Sequence, residues 1–370
     1  MLWQQLQNQP VILGWDFYIP IIVFVILLAL AVPVWAAIGS AAILMLLISG
    51  ALPLSLVGES LFHGIDHFAL TAVPLFILTG DVLVRTGLSK KFLDVAEAIT
   101  CWAKGGFGSA TVLVCGMFAA ISGSDAAGAA AVGRMTIHRL VESGYPRPYA
   151  CALVAAGACT GILIPPSIAY IIIGLVLGVN VSILFLAAVI PGLLVLLAIL
   201  ITNTLVNRRH AYEGGGLMTV GEWSTNLWKS LKSGWYAFLV PGIIFYGIFS
   251  GSLTPTEAGA VAVVVTISIG FILGTLKFSD FPAMLVSSAK VNGVILPIIA
   301  FSLPLAQALA ILGVPQGFVA AATSVSEEPW VLILMMILIL IAAGCVMETT
   351  PNIVILAPIL FPLAQQIEMN

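Results

Sequence analysis

Apolar stretches of about 20 residues, enough to cross a ~30 Å hydrocarbon core as helices, recur along the whole chain. They fall around residues 17–50, 66–85, 182–206, 233–250, 256–276, 291–312 and 330–346. In lipid every backbone N–H and C=O must be paired within the protein, so segments of this length commit the chain to helices. Composition agrees, since 61% of residues are hydrophobic and 8% charged, against roughly 25% charged in a soluble domain. No segment is long or polar enough for a separate soluble domain. The expected class is an all-α polytopic membrane protein. Residues 1–16 carry no Lys or Arg and no small-residue cleavage site, so they read as an exposed lead-in and not a signal peptide.

The 13 basic residues cluster at 85–104, 134–147, 208–232 and 277–290, whereas loops 177–182, 251–256 and 313–329 hold none and the last carries Glu327 and Glu328. The positive-inside rule makes the first set cytoplasmic and the second external. Residues 105–133 are flanked by basic loops on both sides yet largely apolar, so they must cross an even number of times. Two full spans need about 40 residues, more than this interval offers, and SGSDAAG at 122–128 sits in its middle. A re-entrant helical hairpin fits. Irregular backbone at membrane depth survives only beside protein or a water-filled cavity, which marks Ser122, Gly123, Ser124 and Asp125 as site candidates.

The spacing recurs. Gly87 precedes Ser122 by 35 residues and Gly313 precedes Glu348 by 35, an offset of 226 between halves. AVPVWAAIG around Pro33 and LTPTEAGAVA around Pro255 form an earlier pair offset by 222. Because the loop after Gly87 is basic and the loop after Gly313 acidic, equivalent points lie on opposite faces, as in an inverted-topology repeat. The expected halves are 1–206 and 233–370, joined by a cytoplasmic linker at 207–232. In the first, GILIPPS at 161–167 must break its helix, since proline removes a donor and clashes with the preceding turn. In the second, METTPN at 347–352 corresponds to the hairpin tip. The matching broken helix would fall beyond Asn370, so the sequence is expected either to lack its C-terminal part or to lack that element.

Broken helices leave carbonyls for a cation and N-termini for an anion. Na⁺ asks for several oxygen ligands, which two serine hydroxyls and freed carbonyls supply. A carboxylate substrate would be met by Ser122, Ser124, Ser167, Thr349, Thr350 and Asn352. An ionised Asp125 at membrane depth costs at least ~3 kcal/mol and repels an anion, so it either balances sodium or takes up a proton. The rival reading of SGS and IPPS is small-residue packing and a proline kink. Asp81 and Arg85 are spaced to pair along a helix, and Glu257 after Thr254 reads as a helix-start carboxylate. Glu59, His63 and His67 share helical spacing but read as surface. The cysteines lack metal or redox spacing. Separated basic loops without an aromatic surface argue against nucleic acid. An intramembrane hydrolase would need a base beside Ser124 and Asp125, and no His or Lys stands in a recognisable relation to them. A passive channel would carry flux without sodium.

Five segments carry a resemblance: VPLFILTGDVLVRTGLS at 73–89, FAAISGSDAAGAAAVG at 118–133, GILIPPSIAYIIIGLVLGV at 161–179, LTPTEAGAVAV at 253–263 and GCVMETTPNIVILAPILFP at 344–362. They resemble, in order, the large membrane (permease) subunit of tripartite ATP-independent periplasmic (TRAP) transporters, within the ion-transporter superfamily. The resemblance implies two re-entrant hairpins in inverted repeats, an elevator-type movement, and Na⁺-coupled uptake of an organic acid, a dicarboxylate, sialic acid or related carboxylate, across the bacterial inner membrane. Implied partners are a small four-helix membrane subunit and a periplasmic solute-binding protein, with Na⁺ as coupling ion and no other cofactor. Carried over by position, one sodium site uses Ser122, Gly123, Ser124, Asp125, Gly161 and Pro165, and the other Gly344, Thr349 and Thr350. Asp125 departs from the small residue many relatives have there, and the closing broken helix is missing. A stand-alone sodium-coupled dicarboxylate or anion symporter of the same superfamily would share the hairpins without a binding protein.

Overall fold

The computed structural model describes residues 14–50, 54–102, 105–213 and 220–367, and its regular elements there are all helices. In chain order they begin with α1 (Trp15–Ala29), α2 (Val34–Ser49), α3 (Leu54–Ile65), α4 (Ala72–Arg85) and α5 (Leu88–Thr100). Next come α6 (Gly106–Ser122), α7 (Asp125–Glu142), α8 (Arg147–Ala158), a helical turn at Thr160–Leu163, α9 (Ile168–Leu177) and α10 (Val181–His210). The remainder is α11 (Val220–Gly234), α12 (Leu239–Phe249), α13 (Pro255–Ile272), α14 (Phe281–Ile311), α15 (Val314–Val325), α16 (Pro329–Gly344) and α17 (Thr349–Gln366).

Among the described residues, five helical runs are long and apolar enough to cross a membrane: Phe68–Arg85, Val181–His210, Gly221–Phe249, Pro255–Ile272 and Phe278–Ile311. A further run, Arg147–Leu163 with Ile168–Leu177, is also long and apolar enough but bends by 40° at its break. The protein is a multi-pass membrane protein. The stretch at 17–50 is two shorter helices, separated at Leu30–Pro33 where Ala31 adopts φ +57°. The stretch at 330–346 gives α16, only 16 residues long, or about 24 Å at 1.5 Å per residue. The interval read as a hairpin over 105–133 forms α6 and α7, and its second arm runs on to Glu142.

The 226-residue offset reappears in the elements. α4 ends at Arg85 and α14 at Ile311; α5 starts at Leu88 and α15 at Val314. Gly87 and Gly313, between them, have φ +74° and +67°. α7 and α17, starting at Asp125 and Thr349, agree to within two residues of the offset.

The chain divides into two compact units, Met1–Leu70 with Ile172–Val179 and Asn292–Asn370, and Thr71–Ile171 with Asn180–Val291. In the first, Ala322, Leu332, Met336, Leu360 and Leu363 form a core shared by α15, α16 and α17. In the second, α13 lies along α4. Its buried Gly259, Ala262, Val263, Thr266, Ile269 and Gly270 recur every third or fourth residue, with Gly259 against Leu75 and Gly270 against Thr86. Small residues let membrane helices approach closely, so dispersion contacts replace the hydrophobic drive that lipid does not supply. At the start of α13, Thr254 Oγ1 accepts from the Glu257 N–H and Glu257 accepts from the Thr254 N–H, which satisfies two donors the first turn leaves open. α6 is the innermost helix of this unit, with 15 of its 17 residues buried against α4, α5, α7, α8, α10 and α12. Buried hydroxyls within these helices, Thr79, Thr111, Thr136 and Thr266, each donate to the carbonyl four residues earlier. The segment expected as a linker at 207–232 includes the last turn of α10 and all of α11 but its final two residues.

Candidate functional site

The hairpin turns at three residues. α6 ends at Ser122, Gly123 takes φ +61°, and its N–H still reaches Ala119 O at 3.1 Å. Ser124 is extended and starts α7, its Oγ accepting from the Ala127 N–H at 3.4 Å. The Asp125 carboxylate accepts from the Ala126 N–H at 2.7 Å, placing a negative charge where the helix dipole favours one.

The tip is wedged against the broken helix by backbone, not by side chains. A Cβ on Gly123 would stand 2.8 Å from Pro166 O and 3.1 Å from Ile168 N; one on Gly161 would stand 2.9 Å from both Ser124 O and Asp125 N. Only glycine permits either approach. The Ile168 N–H points to Gly123 O at 3.4 Å. From the other side, Gly80 of α4 leaves room for Ser122, whose Cβ lies 3.1 Å from where a Gly80 Cβ would be.

Two hydroxyls at this junction are poorly engaged. Ser122 is 1% exposed, and its Oγ finds only Ser124 O at 3.4 Å and Ser124 N at 3.5 Å, both beyond ordinary hydrogen-bond lengths. Ser167, fully buried, has no partner for its Oγ. An unmade buried hydroxyl bond costs about 1–3 kcal/mol, so the junction holds polar capacity that the protein itself leaves unused. The structure thus brings together Ser122, Gly123, Ser124, Asp125, Gly161, Pro165 and Ser167 in one compact unit.

The other expected residues lie in the first unit. Gly344, Thr349 and Asn352 line a cavity of about 560 Å³ between α16, α17 and the Ile173–Leu177 part of α9; Thr349 and Asn352 are its only polar lining side chains. Asn352 Oδ1 is buried without a partner, and Asn352 Nδ2 stands 3.8 Å from where a Gly344 Cβ would be. Thr350 is buried and does not line the cavity.

Residues elsewhere fall as their spacing predicts. Arg85 Nε pairs with Asp81 Oδ2 at 3.1 Å. Glu59 and His67 are described, while the side chain of His63 lies outside the described residues.

A polar cluster at the base of the hairpin is not anticipated by the sequence. Glu213 accepts the Phe107 N–H with both oxygens, at 3.1 and 3.0 Å, and the Tyr145 hydroxyl at 3.2 Å. Asn207 Oδ1 accepts the Glu213 N–H, and Asn203 accepts from Tyr149 and donates to Ser109 and Gly105 O. Burial, more than the nearby carboxylate, raises the Tyr145 phenol above its ordinary value, so it stays protonated and donates. The available signal was Asn203 and Asn207, four apart and so on one face near the polar end of α10.

The model of the family described as "Tripartite ATP-independent periplasmic transporter, DctM component" matches residues 21–370. The chain belongs to this family. The C4-dicarboxylate TRAP transporter large permease protein DctM of Pseudomonas aeruginosa is 35% identical over 311 residues, 84% of this chain and 72% of that protein. Its counterpart in Rhodobacter capsulatus is 30% identical, covering 95% of this chain and 83% of that one. The sialic acid TRAP transporter large permease protein SiaM of Vibrio cholerae is 29% identical, over 93% and 80%. As a DctM-family permease the chain is a transporter and not an enzyme, and a multi-pass protein of the inner membrane.

Proposed function

We propose that this permease carries an organic acid anion inward, driven by Na⁺, after receiving it from a periplasmic solute-binding protein, with a small four-helix membrane subunit as its companion. The observation that carries the ion site is the junction of the tip with the broken helix, where the Pro166–Ile168 backbone closes on Gly123 and the buried Ser167 hydroxyl lacks a partner. Ser122, Ser124, Ser167 and the backbone at Gly161 and Pro165 would offer Na⁺ its oxygens, and Asp125 would balance the ion or take up a proton. Gly344, Thr349 and Thr350 would form the second ion site; the candidates for the substrate carboxylate are Thr349, Thr350 and Asn352 in one unit and Ser122, Ser124 and Ser167 in the other.

The matched helix ends one offset apart, with opposite loop charge, support two repeats of inverted topology over 1–206 and 233–370. That architecture suits an elevator-type shift. The dicarboxylate and sialic acid names of the relatives support an organic acid as cargo.

Reconstitution tests this reading. Uptake into proteoliposomes holding the permease and its small subunit, with candidate binding proteins outside, should require an inward Na⁺ gradient and collapse in the Ser122→Ala, Ser124→Ala double variant. Uptake that continues unchanged without Na⁺, or in that variant, removes the proposed ion site.

A further inference from the structure

α11 presents two different faces. Trp223, Asn226, Leu227, Ser230, Leu231 and Gly234 are the less exposed residues, spaced three and four apart, and pack on α5. Trp228, Lys229 and Lys232 are exposed, with Trp228 at 71% and Trp235, just past the helix end, at 60%. The helix stops at Gly234, where φ −124° and ψ 5° leave the helical region, and the apolar α12 begins four residues after Trp235. Although the run Gly221–Phe249 is long and apolar enough as a whole to span, its polar first half would place Glu222, Lys229 and Lys232 in hydrocarbon. Only the second half suits the bilayer core, leaving α11 at its edge.

α5 and α11 run antiparallel. Trp223 Nε1 donates to Ile99 O at 3.4 Å, near the end of one helix and the start of the other, while at the opposite ends the Lys91 side chain covers Gly234. That arrangement brings Lys90 and Lys91 to the end that carries Lys229 and Lys232. Lys91 is paired with Asp94 at 3.6 Å. Lys90, Lys229 and Lys232 are exposed and form no ion pair among the described residues. Three unneutralised ammonium groups next to two exposed indoles at a membrane edge meet the requirements of an anionic headgroup. Indole rings settle at the level of the headgroups, and each lysine near the surface attracts anionic lipid.

We infer that the end of the α5–α11 pair, Lys90, Lys229 and Lys232 with Trp228 and Trp235, binds an anionic phospholipid of the cytoplasmic leaflet. This rests on the inward orientation of the basic loops proposed above. The lipid itself can be read separately, because protein in detergent meets added lipid from either side.

The probe is phosphatidylglycerol, offered with an equal amount of phosphatidylcholine to the purified full chain and followed by native mass spectrometry. Phosphatidylglycerol should be retained preferentially. In the Lys229→Gln, Lys232→Gln double variant its association should weaken on the order of tenfold, phosphatidylcholine should be unaffected, and Lys229→Arg, Lys232→Arg should restore the preference. Lys277→Gln, an exposed cation at another loop, should change nothing. Equal retention of the two lipids by wild type, an unchanged preference in the double glutamine variant, or an equal fall in Lys277→Gln overturns the assignment. An unaltered melting temperature of each variant separates lost lipid from lost fold.

Discussion

The contact between Gly161 and the tip can be weighed against two other glycines. In Gly161→Ala the new methyl would stand 2.9 Å from Ser124 O and Asp125 N and 3.0 Å from Asp125 Cα. All three are backbone atoms, so no side chain can swing aside, and overpacking of this kind costs about 1–3 kcal/mol. Gly123→Ala meets Pro166 O at 2.8 Å and must also hold φ +61°, adding about 1–2 kcal/mol of left-handed strain, for a total of roughly 2–5 kcal/mol. Gly87→Ala carries the same strain at φ +74° with nothing within 4 Å, so it costs only about 1–2 kcal/mol of strain. Thermal unfolding in detergent should therefore rank Gly123→Ala least stable, with Gly161→Ala and Gly87→Ala milder. A Na⁺ titration separates the latter two, because only Gly161→Ala displaces the tip carbonyls and should lose the stabilisation Na⁺ confers. If Gly87→Ala and Gly161→Ala respond to Na⁺ alike, the junction does not shape an ion site.

Ser167→Ala removes a hydroxyl that has no partner in the protein, so it should leave stability without Na⁺ unchanged or raise it by up to ~1–3 kcal/mol while abolishing the Na⁺-induced rise in melting temperature. A loss of stability in Na⁺-free buffer would show that the hydroxyl serves packing alone. Glu213→Ala exposes the Phe107 N–H and strands the buried Tyr145 hydroxyl, for a cost of about 1.5–3 kcal/mol; Tyr145→Phe, which also removes the donor, should partly offset it in a double-mutant cycle of chemical denaturation, and strict additivity would count against a shared network. Maleimide should modify Cys159, which is exposed, and spare Cys115, buried at 1%; with Cys159 two residues from Gly161, Na⁺ should slow its labelling. Equal labelling of the two thiols would contradict the buried setting of α6.

Much of the tip could be read from residue type. Small polar residues inside an apolar interval, a proline pair in another and glycines 35 residues before each tip impose backbone consequences that need no neighbour to deduce, and Gly123, Pro165 and Gly313 sit at the ends or breaks those rules place. Contacts made across the sequence were not legible. Nothing in the identity of Gly80 or Gly161 says that each faces the tip, because a glycine's value as a gap depends on what fills it. Glu213 precedes three glycines in a connection, and its roles toward Phe107 and Tyr145 emerge only when α6, α8 and α10 are brought together. The helix α11 is hidden within a linker composition for a similar reason: its two lysines, three serines and Thr225 mask the four-residue spacing of Trp223, Leu227 and Leu231. Around α17 the polar residues themselves, Thr349 and Asn352, could be read from METTPN, but the apolar cavity they open on could not, because its other walls come from α16 and α9.

α6 is held at both ends. Glu213 fastens its first turn, and Gly161 and Pro166 close on the turn after its last residue, some 25 Å away at 1.5 Å per residue. A column pinned top and bottom cannot hinge at either end without breaking a joint, and its flanks are nearly all in contact with neighbours. A displacement of the tip that keeps both joints would carry α6, α8 and α10 as one piece, with the compliance located in the connections that lead into them.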